Sequence, residues 1–206
     1  MTVTTKTEPR TSPPTTRRGR MKADRRRQLL DAAARLIAER GFHGVRLEDL
    51  GAAVGISGPA VYRHFPNKDA VLVELLVGIS TRLFDGGTEV TESGSDAAAT
   101  LEELVDFHVD FATSEPELIR IQDRDLDNLP DDARREVRRT QRRYVELWVA
   151  ALCAHDPALA EADARVVAHG LFGLLNSTPY SARRGSLADS KPVLRAAALR
   201  LIGIAA

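Results

Sequence analysis

The length, composition and charge of the chain exclude several classes of protein. It has 206 residues, 43% of them hydrophobic and 5% aromatic, with no net formal charge at pH 7 and a single cysteine. One cysteine cannot form an internal disulfide, no apolar run approaches the ~18 residues of a membrane span, and the polar N-terminus lacks the apolar core of a secretory signal. We therefore expect a cytoplasmic protein, and long segments rich in Ala, Leu and Arg predict an all-α fold.

The charges are unevenly distributed along the chain. Residues 1–80 contain 14 Lys and Arg against 8 Asp and Glu, whereas residues 81–206 contain 15 against 21. A basic N-terminal part joined to an acidic C-terminal part indicates that only the first part contacts nucleic acid. Chance segregation of surface charge is the alternative.

The N-terminal residues 1–21 are rich in Thr, Pro and Arg and lack apolar periodicity. We predict a disordered basic arm there, which either follows DNA phosphates or enters a minor groove, or serves only as a solubilising tail. A first helix is predicted from Lys22 or Asp24 to about Arg40, because apolar residues then recur at helical spacing. Gly41 follows the last turn, where a glycine ends many helices.

The segment RLEDLGAAVGISGPAVYRHFPNK, from Arg46 to Lys68, predicts helices over 47–54 and 58–65 joined by a tight turn at Gly55. This is the arrangement of a helix-turn-helix, whose second helix enters the DNA major groove; an ordinary helical hairpin is the alternative. Small residues at the start of that helix permit close approach to base edges, and the hydrogen-bonding side chains after them suit phosphates. The predicted DNA-contacting residues of this segment are Ser57, which is also placed to cap the helix, and Gly58, Pro59, Ala60, Tyr62, Arg63, His64 and Lys68.

The wider sequence resembles the N-terminal domain of the TetR family of bacterial transcriptional regulators. The resemblance covers about residues 24–76. The positions that carry it are Gly41-Phe42, Leu50, Ala53, Gly55, the block Tyr62-Arg63-His64-Phe65 and the step Asn67-Lys68. It implies an all-helical homodimer that binds double-stranded DNA at a palindromic operator. It further implies base readout and phosphate contacts by two sets of residues, which are Gly58, Pro59 and Ala60 for bases and Tyr62, His64 and Lys68 for phosphates.

Two positions depart from the family pattern. Val45-Arg46 stands where the family usually has Thr-Thr or Thr-Ser, so the side-chain cap of the second helix is absent. Arg46 then either contacts a phosphate or remains exposed. Glu48 lies where some members carry a basic residue, and it either accepts from a cytosine amino group or repels non-cognate DNA.

The remainder of the chain predicts further helices. A fourth helix from about Asn67 to Phe84 is followed by residues 85–96, which are a loop by composition. Later helices are predicted at 97–113, from Pro116, at 131–154, at 160–178 and at 192–204. The predicted domains are the arm 1–21, a three-helix DNA-binding domain 22–68, and a helical effector-binding and dimerisation domain 69–206, in which helix 69–84 links the two.

Aromatic, long apolar and isolated polar residues of the second domain lie on different predicted helices and are expected to line a cavity between them, although plain core is the commoner role for such residues. The predicted effector-binding residues are Phe84, Phe107, His108, Phe111, Ile121, Arg124, Tyr144, Trp148 and Asn176. The run SGPAVYRHFPNKDAVLVELLVGIS is similar to actinobacterial family members linked to acyl-CoA and branched-chain catabolism. That resemblance implies an acyl-CoA or fatty-acid-like effector.

Residues 166–176 are small and mostly apolar. With the last helix they predict a homodimer interface, a four-helix bundle about a two-fold axis, and a monomer core is the alternative. The predicted interface residues are Val166, Gly170, Gly173, Leu174, Ala198 and Leu201.

Enzyme motifs are absent from the sequence. There is no GxSxG, HExxH, Walker loop or GxGxxG, and the five histidines show no metal-binding spacing, so we expect no catalysis, cofactor or metal. We expect instead a repressor that leaves its operator when a small apolar or acyl-type molecule binds. The alternatives are an activator or ligand-independent regulator of the same fold, and a helical interaction or enzyme domain that has lost DNA binding.

Overall fold

The computed structural model describes residues 16–94, 96–181 and 187–204, and within these ranges it contains helices and no strand. The all-α prediction is confirmed. The helices are α1 Arg17–Arg40, α2 Leu47–Ala53, α3 Gly58–Val61, α4 Lys68–Thr91, α5 Ala97–Ser114, α6 Pro116–Asp125, α7 Asp131–His155, α8 Glu161–Leu175, α9 Thr178–Ser181 and α10 Leu187–Leu201, with a 3₁₀ turn at Leu126–Asn128 between α6 and α7.

Helix α1 begins earlier than the sequence pattern predicts. Thr16 caps it, because its Oγ1 accepts a hydrogen bond of 3.1 Å from the N–H of Gly19. The prediction of disorder is therefore wrong for residues 17–21, while residues 1–15 lie outside the described part of the chain. The predicted end is confirmed: Gly41 has a φ of +80°, and its N–H donates to Ile37 O at 2.8 Å.

Helix α4 continues through residues 85–91, which were predicted to be a loop. A Cβ on Gly87 would lie 2.6 Å from the Tyr144 ring, and one on Gly86 would collide with the Phe107 ring. These glycines therefore let α4 pack closely against α5 and α7. The loop prediction failed because tertiary packing outweighs the weak helix propensity of glycine.

The later helices follow the predicted pattern with two differences. The predicted starts of α5 at Ala97, α6 at Pro116 and α7 at Asp131 are confirmed. The helix predicted over 160–178 instead ends at Leu175, and the short α9 follows it. The last helix begins at Leu187, five residues before the predicted start, and contains Pro192.

Two hydrophobic cores organise the molecule. The first joins α1, α2, α3 and the beginning of α4, and it also includes Leu118 and Ile121 of α6 and Val137 of α7. The second joins α5, the latter part of α7, α8 and α10. Helix α6 thus belongs to the core of the N-terminal part, which was predicted to bind DNA, although it lies far beyond residue 68. No helix in the described ranges has the length and apolar character needed to cross a membrane.

The close approach at Gly87 predicts opposite effects for two glycine substitutions in α4. Gly87→Ala should lower the free energy of unfolding by about 1–3 kcal/mol, because the buried Tyr144 ring must shift. Gly78→Ala, where a Cβ meets nothing within 4 Å, should raise it by up to about 1 kcal/mol. Urea unfolding of both variants checks this, and equal effects would contradict the packing argument.

Candidate functional site

The hairpin of α2 and α3 is fixed by a turn at Gly55 and by close packing at Gly51. Gly55 has a φ of +72°, which glycine adopts without strain. A Cβ on Gly51 would lie 2.8 Å from a Val61 methyl and 2.9 Å from Ile56 O. Because Val61 and Phe65 are fully buried beneath it, the opposite face of α3 is presented to solvent.

The predicted DNA-contacting residues lie on or beside this presented face. Glu48 of α2 reaches α3, since its Oε1 accepts a hydrogen bond of 3.2 Å from the Tyr62 hydroxyl. The hydrogen bond and charge of Glu48 raise the pKa of Tyr62, which keeps the phenol protonated as a donor. The exposed members of the predicted set are Arg46, Glu48, Ser57, Pro59, Tyr62 and Arg63, and the half-buried members are Gly58, Ala60, His64 and Lys68.

The capping of α3 differs from the prediction, whereas α2 lacks a side-chain cap at its N-cap residue as predicted. Ser57 occupies the N-cap position of α3, but its side chain makes no capping hydrogen bond, so that prediction is wrong. Arg46 is the N-cap of α2, and Asp49 Oδ2 accepts its N–H at 2.8 Å. Asp49 thereby supplies half of a capping box, and the Arg46 side chain remains exposed.

Lys68 is turned toward the protein. Its Nζ donates to Phe42 O at 2.7 Å and to Val45 O at 3.0 Å, and it lies 4.3 Å above the Phe42 ring. Two of its three donors are therefore used within the chain. In this conformation Lys68 holds the loop between α1 and α2, a role that differs from the predicted phosphate contact.

Two arginines of α1 hold the recognition hairpin, and the sequence analysis assigned them no such role. Arg26 forms a two-point ion pair with Glu74, donates to His64 O and lies 4.1 Å above the Phe65 ring. Arg25 donates to Val54 O at 3.1 Å. Burial, followed by the charges of Lys22, Arg26 and Arg25, lowers the pKa of His64, so this histidine is neutral at pH 7.

The position of Lys68 gives a stability prediction. Lys68→Met should lower the free energy of unfolding by about 1.5–3 kcal/mol, because two carbonyls lose a charged donor. Arg63→Met, which removes an exposed charge of the same surface, should change it by less than about 0.5 kcal/mol. Chemical denaturation compares the two, and equal stabilities would contradict the structural role of Lys68.

A cavity of about 210 Å³ lies in the C-terminal part, between α4, α5, α6, α7 and α8. Its lining combines apolar and neutral polar side chains. The lining residues are Ser80, Leu83, His108, Phe111, Ile119, Gln122, Gln141, Tyr144, Val145, His169, Phe172 and Asn176. No group of three or more His, Cys, Asp and Glu side chains in the described ranges is placed to hold a metal ion.

His108 lies at the centre of the cavity wall. Its Nδ1 is 3.1 Å from the Tyr144 hydroxyl, and its Nε2 is 3.0 Å from Asn176 Oδ1. Burial lowers the pKa of His108 to about 4 and raises the pKa of Tyr144, so both are neutral at pH 7. The tautomer that satisfies both contacts donates from Nε2 to Asn176 and accepts the Tyr144 proton at Nδ1.

The structure divides the predicted effector-binding residues into two groups. Those that line this cavity are His108, Phe111, Tyr144 and Asn176. Five others lie elsewhere. Phe84 is covered by the Arg143 guanidinium, Phe107 packs at Gly86, and Ile121 is in the first core. Trp148 is fully buried, with its ring edge-on to His108 at 6.1 Å.

Arg124, the fifth residue outside the cavity, joins α6 to the end of α1. Its guanidinium donates to Ile37 O and to Ala38 O, the latter at 3.3 Å. The neighbouring Asp125 is buried, pairs with Arg124, and accepts the N–H of Phe42 at 3.2 Å. Helix α6 therefore contacts the DNA-binding part directly.

Eight lining residues are absent from the predicted effector-binding set: Ser80, Leu83, Ile119, Gln122, Gln141, Val145, His169 and Phe172. Gln141 and His169 lie among charged and small residues that indicate no buried face. Their position becomes clear only when α7 and α8 are packed together, and helical periodicity alone offered no signal for them.

The predicted interface residues are mostly exposed on this protomer. The side chains of Val166 and Leu201 are 70% and 51% exposed, and a Cβ on Gly170 or Gly173 would meet nothing within 4 Å. Leu174 is half-buried. Ala198 is fully buried in the protomer's own second core, so its assignment to the interface is wrong.

The neutral state of His108 predicts a pH dependence of stability. The folded pKa lies below the ordinary value of 6.5, so the unfolded chain takes up the proton first as the pH falls. The contribution of neutral His108 to the free energy of unfolding is present above pH 6.5 and is lost as the pH falls from about 6.5 to about 4. Between pH 7 and pH 4.5 the free energy of unfolding of the original protein should fall by about 2 kcal/mol more than that of the His108→Gln variant. Parallel denaturation curves at both pH values measure this, and identical losses would contradict it.

Two family models match the chain. The model described as bacterial regulatory proteins, tetR family, matches residues 29–75, and the model described as tetracyclin repressor-like, C-terminal domain, matches residues 94–180. Together they cover about two thirds of the chain.

Individual proteins give a consistent picture. The chain is 43% identical to the HTH-type transcriptional repressor KstR2 of Rhodococcus jostii over 84 residues, which are 41% of each chain. The match to this repressor and to two nucleoid occlusion factors SlmA spans about two fifths to half of the length of each relative. The solved KstR2 of Mycobacterium tuberculosis superposes with a TM-score of 0.76 at 20% identity, covering 87% of this chain and 93% of that one. AibR in complex with isovaleryl coenzyme A and operator DNA has a TM-score of 0.63 at 19% identity, covering 82% and 96%.

Proposed function

The chain belongs to the TetR family of bacterial regulatory proteins, and on that premise we propose that it is a transcriptional repressor that leaves a palindromic operator when a small molecule enters its cavity. The presentation of α3 to solvent on a buried support is the observation that carries this proposal. We further propose that the protein acts in the cytoplasm without catalysing a reaction.

Helix α3 is proposed to enter the DNA major groove. The small residues Gly58, Pro59 and Ala60 let its first turn approach base edges, and Arg63 is long enough to reach a guanine or a phosphate. Tyr62 donates its protonated hydroxyl to a phosphate. Glu48, held beside Tyr62, accepts from a cytosine amino group or repels sequences without one.

A second copy of the chain is proposed to cover the exposed apolar face of α8 and α10. Val166, Gly170 and Gly173 lie on one side of α8, and Val193 and Leu201 are exposed on α10. Two-fold pairing through this face would place the two α3 helices toward half-sites about one DNA turn apart.

Helix α6 is proposed to couple the cavity to the DNA-binding part. Ile119 and Gln122 line the cavity, while Arg124 and Asp125 of the same helix bind the end of α1 and the Phe42 backbone. A ligand that moves α6 must therefore also move the hairpin or break these contacts. Either outcome changes the separation of the two α3 helices in a dimer and weakens binding at both half-sites.

The effector is proposed to be a small, apolar or acyl-type molecule. The apolar wall of Leu83, Phe111 and Phe172 suits an acyl chain. The structural relative AibR has been solved in complex with isovaleryl coenzyme A, and an acyl-CoA is accordingly one candidate for this chain. The cavity itself holds only the acyl part of such a molecule.

Selection of genomic fragments by the purified protein at moderate salt tests the proposal. We expect enrichment of one palindrome near a few promoters. Arg63→Ala should weaken binding to that palindrome by about tenfold. If Arg63 contacts a phosphate, the salt dependence of binding should fall by about one phosphate contact; if it contacts a base, the preference at one position of the palindrome should relax. Arg139→Ala, which removes an exposed arginine of α7, should do neither.

A negative result has a definite meaning here. If no sequence is enriched by protein refolded to remove bound small molecules, operator recognition is excluded. If DNA affinity is independent of salt, phosphate contacts are excluded as well, because these contacts must release counterions.

A further inference from the structure

The charge of the cavity wall limits what the cavity accepts. None of its lining residues in the described part of the chain is Lys, Arg, Asp or Glu. The polar lining consists of amides, hydroxyls and imidazoles, and the buried imidazole of His108 is already hydrogen-bonded on both sides. A charged group that enters would therefore find no fixed opposite charge.

The hydrogen-bonding groups of the wall that have no partner in the described ranges are three amides and the imidazole of His169. His108 engages the Oδ1 of Asn176, while Ser80 donates to Leu76 O at 2.8 Å. The Nδ2 of Asn176 and the side chains of Gln122 and Gln141 have no partner within the described ranges. These amides supply N–H donors to a ligand oxygen beside an apolar surface.

This combination discriminates between a carboxylate and an uncharged carbonyl. A free carboxylate loses its hydration on entry, and no cation in the wall compensates for that loss. An uncharged carbonyl loses much less hydration, and it accepts the same amide hydrogen bonds. The wall therefore favours the carbonyl of an amide, ketone, ester or thioester.

The size and opening of the cavity limit the rest of the ligand. Its 210 Å³ equals the volume of about seven waters in the liquid, which accommodates a short acyl chain. Leu83 and Phe111 also line a neighbouring groove of about 230 Å³ between α4 and α5. A longer molecule would leave the cavity between these two side chains and continue in the groove.

We propose that the effector presents an uncharged carbonyl on a short apolar chain to the amides of Asn176, Gln122 and Gln141, and that the corresponding free carboxylate is rejected. This inference rests on the proposed function, since it names the ligand of the regulatory cavity. The carbonyl belongs either to a small neutral molecule or to a coenzyme A thioester whose pantetheine arm passes between Leu83 and Phe111.

A matched set of ligands tests the inference with the full chain and without DNA. Calorimetry and thermal shift would compare hexanamide, hexanoate, hexanoyl-CoA and coenzyme A. We expect hexanamide or hexanoyl-CoA to bind at least about 100-fold tighter than hexanoate. Binding of hexanamide identifies a free neutral effector, and binding of hexanoyl-CoA alone identifies a thioester.

Three results would overturn the inference. Hexanoate binds as tightly as the carbonyl compounds; hexanoyl-CoA alone binds but no tighter than coenzyme A; or neither carbonyl compound binds. Because DNA is absent from these measurements, such a failure is distinct from a failure of operator binding in the fragment selection.

Two variants locate the binding in the cavity. Asn176→Leu and Gln141→Leu should each weaken the carbonyl ligand by about tenfold. The Gln141 side chain has no hydrogen bond to any residue that the structure describes, so its replacement tests the site even if Asn176→Leu disturbs His108. Gln28→Leu, which removes an exposed amide from α1, is the control. Unchanged affinity in both cavity variants contradicts the assignment.

Discussion

The contact between α6 and the end of α1 is the constraint on which the proposed regulation depends. Arg124 donates to the carbonyls of Ile37 and Ala38 in the last turn of α1, and Asp125 accepts the N–H of Phe42 in the loop that follows. Ile37 O also accepts the N–H of Gly41, whereas Ala38 O and the N–H of Phe42 find their partners on α6. Helix α6 therefore supplies hydrogen bonds at the end of α1. The orientation of the DNA-binding part is thus set by a helix that also forms the wall of the cavity.

The same helix joins the two functions because it belongs to both regions of the protein. Its residues Leu118 and Ile121 lie in the core of the DNA-binding part, while Ile119 and Gln122 face the cavity. Alternate faces of one amphipathic helix therefore serve different regions. A rigid element of this kind transmits a displacement without any change in its own fold.

The close packing of α4 gives the cavity its position. Gly87 brings α4 against Tyr144, and Tyr144 in turn holds His108 and Asn176 through a hydrogen-bonded series. Every polar atom of His108 is used in this series. This series fixes part of the cavity wall, and the amides of Gln122 and Gln141, which have no partner among the described residues, also line the cavity.

Much of the fold could be predicted from local patterns in the sequence. Gly41, Gly55 and the helix starts at Ala97, Pro116 and Asp131 carry strong local signals, and all were predicted correctly. The continuation of α4 was not predicted, because Gly86 and Gly87 resemble a loop until the rings that they contact are known.

The sites were predictable to different degrees. The proposed DNA-binding face follows from a contiguous motif, so the residues that form it could be proposed by position. The cavity draws single residues from five helices, and an arginine such as Arg124 has the same local pattern whether it reads a ligand or holds a helix end. Only the packing of the helices separates these roles, and local periodicity contains no information about it.

The most direct test of the coupling is the operator affinity of ligand-free Asp125→Asn, measured by fluorescence anisotropy on the selected palindrome. The substitution keeps the size of the side chain but removes the charge that binds Arg124 and the Phe42 N–H. We expect affinity to fall about tenfold, as the loss of one charge-assisted contact implies. Asp123→Asn, an exposed substitution on the same helix that retains a partner for the Tyr180 hydroxyl, should bind like the original protein. Equal affinity of the Asp125→Asn protein, while it remains folded, would contradict the role of α6 in positioning the DNA-binding part.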